Sequence, residues 1–257
     1  MILDRKQVKC EFMNYVSDYD LSDVKVRLKV DHTYRVAQIC DAISDSLSLD
    51  TVDKEIAWLS GMMHDIGRFE QLRRYHTFVD ADSCNHAALS ADILFKEGKI
   101  RLFTEDSDHD KLLEKVIRLH NVYQLPELTE REYLFATVLR DADKIDILRV
   151  NCQTPVEEIY DLPREEFLNT EITDQIYQEV MSGQNVNRKH SRTGIDFMVG
   201  HIAFVFGLTY KESFRQIRKQ GYLDQLMNIP VKKEEAKRRM NNIRRYVHKY
   251  IDKELEI

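Results

Sequence analysis

Residues 61–70 read GMMHDIGRFE, and this stretch decides how the rest of the chain is interpreted. It continues an apolar run that includes Ile56, Trp58 and Leu59, as expected for a helix that is buried on most of its faces. A carboxylate at Asp65 would be costly to bury unless another group compensated its charge. The pair His64–Asp65 therefore predicts a partner elsewhere in the chain, and a metal ion suits both side chains.

The composition predicts long helices around one sizeable core. The chain has 257 residues, of which 43% are hydrophobic and 32% are charged, enough for one large domain or a domain with an extension. Its eight glycines and four prolines are fewer than the roughly 18 and 13 that average usage predicts. The formal net charge of −6 argues against a chain built mainly to hold nucleic acid.

Three sequence features indicate a cytoplasmic protein. The N-terminus, MILDRKQVKCEFMNYV, is charged throughout, so we expect no signal peptide. The apolar stretch FMVGHIAFVFGL suits a core helix and is too short to span a bilayer. The four cysteines lie far apart and form no Cys-x-x-Cys pair, so we expect reduced thiols.

Apolar residues at helical spacing, without any alternating β pattern, predict an all-α fold. Helices are expected over residues 4–18, 22–48, 51–65, 82–97, 110–121, 130–150, 195–206, 209–220 and 231–253, with short helices between 151 and 195.

Local signals predict where some of these helices begin and end. Asp50 is the predicted N-cap of the third helix, and Thr209 with Glu212 has the spacing of a capping box. Gly67 is expected to let the chain leave the third helix. The segment 66–81 lacks clean periodicity and is rich in arginine and aromatic residues, so we expect a loop that carries functional groups.

Several histidines and aspartates are candidate ligands of one metal centre. The candidates are His32, His64, Asp65, His86, His120 and Asp143. Imidazole and carboxylate together suit Mn, Fe, Co, Ni or Zn, whereas Mg is disfavoured because it prefers oxygen ligands. A lone histidine in an apolar helix is more commonly a core residue than a ligand, so spacing alone does not decide the matter.

The order of these motifs resembles the HD-domain superfamily of metal-dependent phosphohydrolases. HTYRVAQI from His32, HDIGRFE from His64 and DADKIDIL from Asp141 carry the resemblance, which covers roughly residues 28–150. It implies an HD-domain helical bundle with additional C-terminal helices. We expect the HD domain with an N-terminal helix over residues 1–150, and a helical extension packed on it over residues 151–257.

The resemblance also implies a ligand set. Members with one ion would use His32, His64, Asp65 and Asp143. Members with two ions add two histidines, for which the candidates are His86 and His120, and Asp65 would then bridge the ions. We favour two divalent transition-metal ions over one, although His86 could instead bind substrate.

The activity implied is hydrolysis of a phosphate ester, either a phosphomonoester or a phosphodiester, with a nucleotide as one candidate. A metal ion would activate water, and cations would stabilise the phosphoryl oxygens. The predicted catalytic residues are Asp65, Arg68 and Lys144. The predicted substrate contacts are Arg68, Arg73, Arg74, His76 and Lys144. Arg68 and Lys144 could instead pair with Glu70 or Asp146 on the surface.

Residues outside this set have simpler interpretations. His201, inside FMVGHIAFVF, is expected in the core, and Asp196 is either a helix-capping carboxylate or a neighbour of the ligands. The last helix is strongly basic, which fits either a packed helix with a solvated face or a surface for RNA or acidic lipid. Its basic residues and those just before it are Lys232, Lys233, Lys237, Arg238, Arg239, Arg244, Arg245 and Lys249.

Other functions stay open on the sequence alone. A non-catalytic nucleotide- or RNA-binding protein on an HD scaffold is the main alternative to the enzyme. An iron-dependent oxygenase is a second alternative, because a rare branch of the superfamily uses a di-iron site for oxidation. No membrane span is expected, and a homodimer is expected only as the common state of soluble proteins.

Overall fold

The computed structural model describes residues 1–256, and within this range the chain is helical with no strand. This confirms the predicted all-α fold. The chain divides into two compact units, one from Met1 to Asp143 and one that begins at Lys144. No described helix combines the length and the apolar character that crossing a membrane requires. The predicted domains, residues 1–150 and 151–257, stay a prediction.

Helices of the first unit are joined by short turns and loops. Their bounds are α1 Arg5–Val16, α2 Val24–Ser46, α3 Thr51–Met63, α4 Gly67–Tyr75, α5 His86–Ala91, α6 Asp110–Leu119 and the first part of α7 Glu130–Gln153.

Helices α2 and α3 form the centre of this unit. Asp50 caps α3 as predicted, accepting a hydrogen bond from the backbone nitrogen of Asp53 at 2.8 Å. Gly61 lies on the face of α3 that meets α2. A Cβ at this position would lie 2.8 Å from Cα of Ala37, so only glycine permits this approach of the two backbones. The close contact brings the histidine of α2 and the end of α3 together.

The loop predicted over residues 66–81 is wrong for its first half, which forms α4. Phe69 and Leu72 are buried at helical spacing, but Glu70 and Gln71 are buried beside them and hide the pattern. Glu70 pairs with Arg73 and Arg74. These partners compensate the buried carboxylate, so a helix with a mixed buried face is stable here.

Gly67 has a role different from the predicted one. It begins α4 and is not among the glycines with positive φ. A Cβ at this position would lie 2.6 Å from the backbone nitrogen of Ser90 and 3.0 Å from the carbonyl oxygen of His86. Gly67 therefore lets α4 lie directly against α5, and it sets the position of the His86 backbone.

The second unit continues from α7 with α8 Val156–Tyr160, α9 Arg164–Leu168, α10 Asp174–Met181, α11 Gly194–Ile202, α12 Lys211–Gln220, α13 Tyr222–Met227 and α14 Glu234–Glu256. Its core lies along α14, whose buried residues repeat every three or four positions and contact α10, α12 and α13. Those residues are Ala236, Met240, Ile243, Val247 and Ile251.

The starts of two helices in this unit can be compared with the predicted caps. Asp196 forms a capping box with Thr193 at the start of α11, so it is a capping carboxylate. Helix α12 begins at Lys211 with Tyr210 as its N-cap. The helix therefore starts one residue later than the capping box predicted at Thr209 implies.

Basic side chains at the start of α14 are largely paired within the unit. Lys237 pairs with Glu234, and both Arg238 and Arg239 pair with Glu235. Exposed ion pairs contribute little stability, but they reduce the positive charge that a polyanion would meet. These contacts favour the solvated-face interpretation of the basic helix.

Candidate metal centre

Three predicted ligands from three helices meet inside the first unit. His32 lies in the middle of α2, His64 is the C-cap of α3, and Asp143 lies on α7. Nε2 of His32 lies 3.3 Å from Nε2 of His64 and 3.1 Å from Oδ1 of Asp143. The three donor atoms are close enough together to hold one ion.

A second cluster adjoins the first. His86 is the first residue of α5, and His120 is the C-cap of α6. Their Nε2 atoms lie 3.0 Å apart, and both side chains are buried. His120 also forms a group with His64 and Asp65 whose donor atoms could hold an ion.

Asp65 lies between the two clusters, with one carboxylate oxygen towards each. Its Oδ2 lies 3.6 Å from Nε2 of both His32 and His64. Its Oδ1 lies 3.6 Å from Nε2 of His86 and 3.7 Å from Nε2 of His120. A carboxylate placed in this way could offer one oxygen to each of two cations.

Backbone carbonyls fix the protonation of two of the rings. Nδ1 of His64 lies 2.8 Å from the carbonyl oxygen of Gly61, and Nδ1 of His120 lies 2.7 Å from that of Ile117. A carbonyl oxygen only accepts, so each Nδ1 carries the proton. The Nε2 lone pairs of both neutral rings therefore face the interior of the cluster.

A carboxylate fixes the third ring in the same way. Nδ1 of His86 donates to Oδ2 of Asp80 at 2.6 Å. The Nε2 atoms of His86 and His120 thus present two lone pairs to each other at 3.0 Å, which is unfavourable unless a proton or another cation lies between them.

Burial disfavours a proton as that cation. It lowers the pKa of His86, with help from the charge of Arg68, and it lowers the pKa of His120 to about 3. Burial opposes ionisation of Asp65 as well, but the charges of Lys29 and neighbouring groups hold the pKa of that carboxyl well below its usual value. His86 and His120 are therefore neutral, and Asp65 is anionic.

These donors fit divalent transition-metal ions. Oδ1 of Asp65 is buried and has no hydrogen-bond partner, although an unsatisfied buried acceptor is costly. Imidazole and carboxylate donors in one cluster match the ligand preferences of Mn, Fe, Co, Ni and Zn. The residues present thus agree with the class of ion that the sequence predicts.

Comparison with protein families agrees with this geometry. Residues 30–148 match the family model of the HD domain. This part of the chain is similar to the HD domain. The match confirms the family predicted from the sequence, whose members are generally metal-dependent hydrolases. Comparisons with curated proteins and with solved structures give no match.

Two cations adjoin the centre of the HD domain, one of which the sequence analysis missed. Lys29 donates from Nζ to Oδ2 of Asp65 at 2.6 Å, and Nε of Arg68 lies 3.6 Å from Oδ1 of the same carboxylate. Both cations lie over the ring of Phe78. Lys29 precedes His32 by three residues on α2, so the helical period could have placed it on the same face.

Other residues predicted to contact substrate have different neighbours in the HD domain. Arg73 and Arg74 are exposed and both pair with Glu70. His76 is exposed at the C-cap of α4, in the left-handed conformation with φ 58°. The substrate contacts of these residues stay predictions.

Lys144 follows Asp143, the last candidate ligand, and lies at the start of the second unit. Its Nζ donates to the carbonyl oxygen of Gly207 at 2.6 Å. Its predicted catalytic role, like that of Arg68, stays a prediction.

Proposed function

We propose that this protein is a metal-dependent phosphohydrolase that cleaves a phosphate ester of a small molecule, with a phosphomonoester, a phosphodiester or a nucleotide as candidate substrates. The arrangement of Asp65 is the observation that supports this most directly. Its Oδ2 faces His32 and His64, and its Oδ1 faces His86 and His120. Such a set suits two ions side by side, with Asp143 as a further ligand.

The protein's contribution is to fix the donors and the nearby charges. Divalent ions bound in such a set acidify water and neutralise charge on phosphoryl oxygens. The hydrogen bonds of His64 and His120 to backbone carbonyls hold their Nε2 lone pairs inward before any ion arrives. Preorganised donors and charges of this kind cost no rearrangement during the reaction.

Lys29 and Arg68 are the cations that we place against the substrate. Each lies within 3.6 Å of an oxygen of Asp65, so a phosphoryl group at the centre would meet both. Arg68 is anchored by its Nη1, which donates to the carbonyl oxygen of Phe78 at 2.7 Å. A fixed guanidinium matches phosphate oxygens well, and Lys29 supplies a compact second charge.

The test combines ion content with turnover. Protein purified without chelator should hold two ions per chain. With Mn²⁺ it should hydrolyse members of a panel of phosphomonoesters and phosphodiesters. Asp143→Ala should lose an ion and turnover, whereas Glu130→Ala, an exposed carboxylate on the same helix, should keep both.

Ion binding without turnover on a broad panel would instead favour the binding-protein alternative. That alternative has no specific support here. The basic residues at the start of α14 are largely paired, so this helix offers a polyanion less free charge than its sequence suggests.

A further inference from the structure

Asp80 is a carboxylate outside the ligand set that contacts four side chains. It opens a short 3-10 turn between α4 and α5. Its Oδ2 accepts from Nδ1 of His86 at 2.6 Å and from Nδ2 of Asn121 at 3.2 Å. Its Oδ1 accepts from Nη1 of Arg68 and Nε2 of Gln71, both at 3.0 Å.

We propose that Asp80 is a positioning residue that holds His86 ready for the second ion. A carboxylate accepts and does not donate, so Nδ1 of His86 keeps its proton and Nε2 keeps its lone pair. That lone pair faces Nε2 of His120 and Oδ1 of Asp65. Outer hydrogen-bond partners of this kind fix the tautomer and orientation of a metal-binding histidine.

The same carboxylate links the second ion position to a substrate-binding cation. Nη1 of Arg68 donates both to Oδ1 of Asp80 and to the carbonyl oxygen of Phe78. Its Nε therefore stays 3.6 Å from Oδ1 of Asp65. Asp80 thus fixes the positions of both His86 and Arg68. These two side chains lie near Oδ1 of Asp65, whereas Lys29 contacts Oδ2 of the same carboxylate.

The groups around Asp80 suit an ionised carboxylate. His86, Asn121, Arg68 and Gln71 all donate to it, and the guanidinium of Arg68 also carries a positive charge. The sequence gives no signal for this role, because Asp80 precedes His86 in a segment without periodicity and meets Arg68 only after α4 has formed.

The inference rests on the proposed function, because it assumes that the centre takes divalent ions. The test titrates metal-free protein with Mn²⁺ and counts ions per chain. The wild type should bind two ions. Asp80→Asn should weaken the second by about 10- to 100-fold and leave the first unchanged. An amide has one acceptor oxygen, so it cannot serve both His86 and Arg68.

Asp82→Asn is the matched control. Asp82 lies in the same turn and is exposed. Its substitution removes the same charge, so this variant should bind both ions like the wild type. If Asp80→Asn binds both ions with wild-type affinity, the positioning role is overturned and the proposed function stands. A wild type that binds only one ion also overturns the positioning role. A wild type that binds no ion overturns both.

A second measurement does not depend on how well the variant folds. Nitrogen NMR of the histidine rings in metal-free wild-type protein should show His86 as the tautomer protonated at Nδ1. The tautomer protonated at Nε2 would overturn the role of Asp80. In folded Asp80→Asn protein, the His86 signal should shift towards a mixture of tautomers, whereas Asp82→Asn should leave it unchanged.

Discussion

The Nε2 atoms of His86 and His120 lie 3.0 Å apart, while Nδ1 of each ring donates to an oxygen that can only accept. In the metal-free protein this places two lone pairs against each other inside an apolar unit. The opposed lone pairs therefore destabilise the metal-free protein, and binding of a cation should restore that stability.

The first prediction concerns this recovery. Mn²⁺ at a hundred times its dissociation constant should stabilise the protein by about 2.7 kcal/mol per site, a rise in Tm of about 5–10 °C for a chain of this size. His120→Leu removes one of the opposed lone pairs, so it should keep or raise the Tm of the metal-free protein and lose part of the Mn²⁺ effect. Thermal melts with and without Mn²⁺ check this. A lower metal-free Tm with the full Mn²⁺ effect would contradict it.

Asp65→Ala should abolish ion binding and turnover. Asp65 faces both histidine pairs, so its loss should cost more than the roughly 10- to 100-fold that an outer partner contributes. Ion content by mass spectrometry and turnover with Mn²⁺ measure the effect, and circular dichroism should show that the protein stays helical. An active, metal-loaded Asp65→Ala protein would refute the assignment of this site.

Lys29→Met should strengthen ion binding and weaken substrate binding. The ammonium lies 2.6 Å from Oδ2 of Asp65 and repels an ion there, so its removal should raise Mn²⁺ affinity by about tenfold, on the order of 1.4 kcal/mol. The KM should rise because a phosphate-binding charge is lost. Lys25→Met, one turn earlier and exposed, is the control. Weaker Mn²⁺ binding in titration calorimetry would instead mean that Lys29 acts by orienting Asp65.

Gly67→Ala should impair both stability and ion binding. Its Cβ would meet the backbone of α5 at 2.6 Å, and overpacking of this kind costs about 1–3 kcal/mol. The shift of α5 moves His86, so the second ion should bind more weakly. Gly200→Ala, whose Cβ would meet nothing closer than 3.6 Å, should be tolerated. Urea unfolding and Mn²⁺ titration separate the two effects, and an unchanged second ion in Gly67→Ala would show that α5 does not move.

His201 should make stability fall in mild acid. Burial, with the charge of Arg188, lowers its pKa to about 4, below the roughly 6.5 of an unfolded histidine. Between these values the unfolded chain binds a proton that the folded chain does not, so stability falls as the pH drops from about 6.5 to 4.

A comparison with His201→Gln isolates this contribution. The residue as a whole is only partly buried, so solvent screening reduces the effect, and we expect the wild type to lose about 1–2 kcal/mol more than the variant between pH 7.5 and pH 5. The variant should be less stable at pH 7.5 and should retain its ions. Urea unfolding at both pH values checks the sign, and equal pH dependence in the two proteins would contradict it.

Much of the fold followed from apolar spacing and caps, because α2 and α14 bury a regular face and α3 is a continuous buried run. The ligand candidates followed from their order along the chain. Helix α4 did not follow, since Glu70 and Gln71 are buried beside Phe69 and Leu72. A buried carboxylate that is compensated by nearby arginines looks like a surface residue in the sequence.

The surroundings of the candidate ligands were harder to predict than the candidates themselves. Lys29 could have been placed by helical period, but Asp80 and the close approach of Gly67 depend on how α4 and α5 pack. Such contacts join residues whose spacing carries no pattern, so only the folded arrangement brings them together.

The six candidate ligands are spread along the chain from His32 to Asp143. During synthesis on the ribosome the set is incomplete until Asp143, the last of them, has emerged. In the proposed centre, an ion that reaches the nascent chain earlier would meet only part of the ligands, so full loading would follow translation of the whole first unit. The order in which the donors leave the ribosome would thus make metal binding a late step in folding.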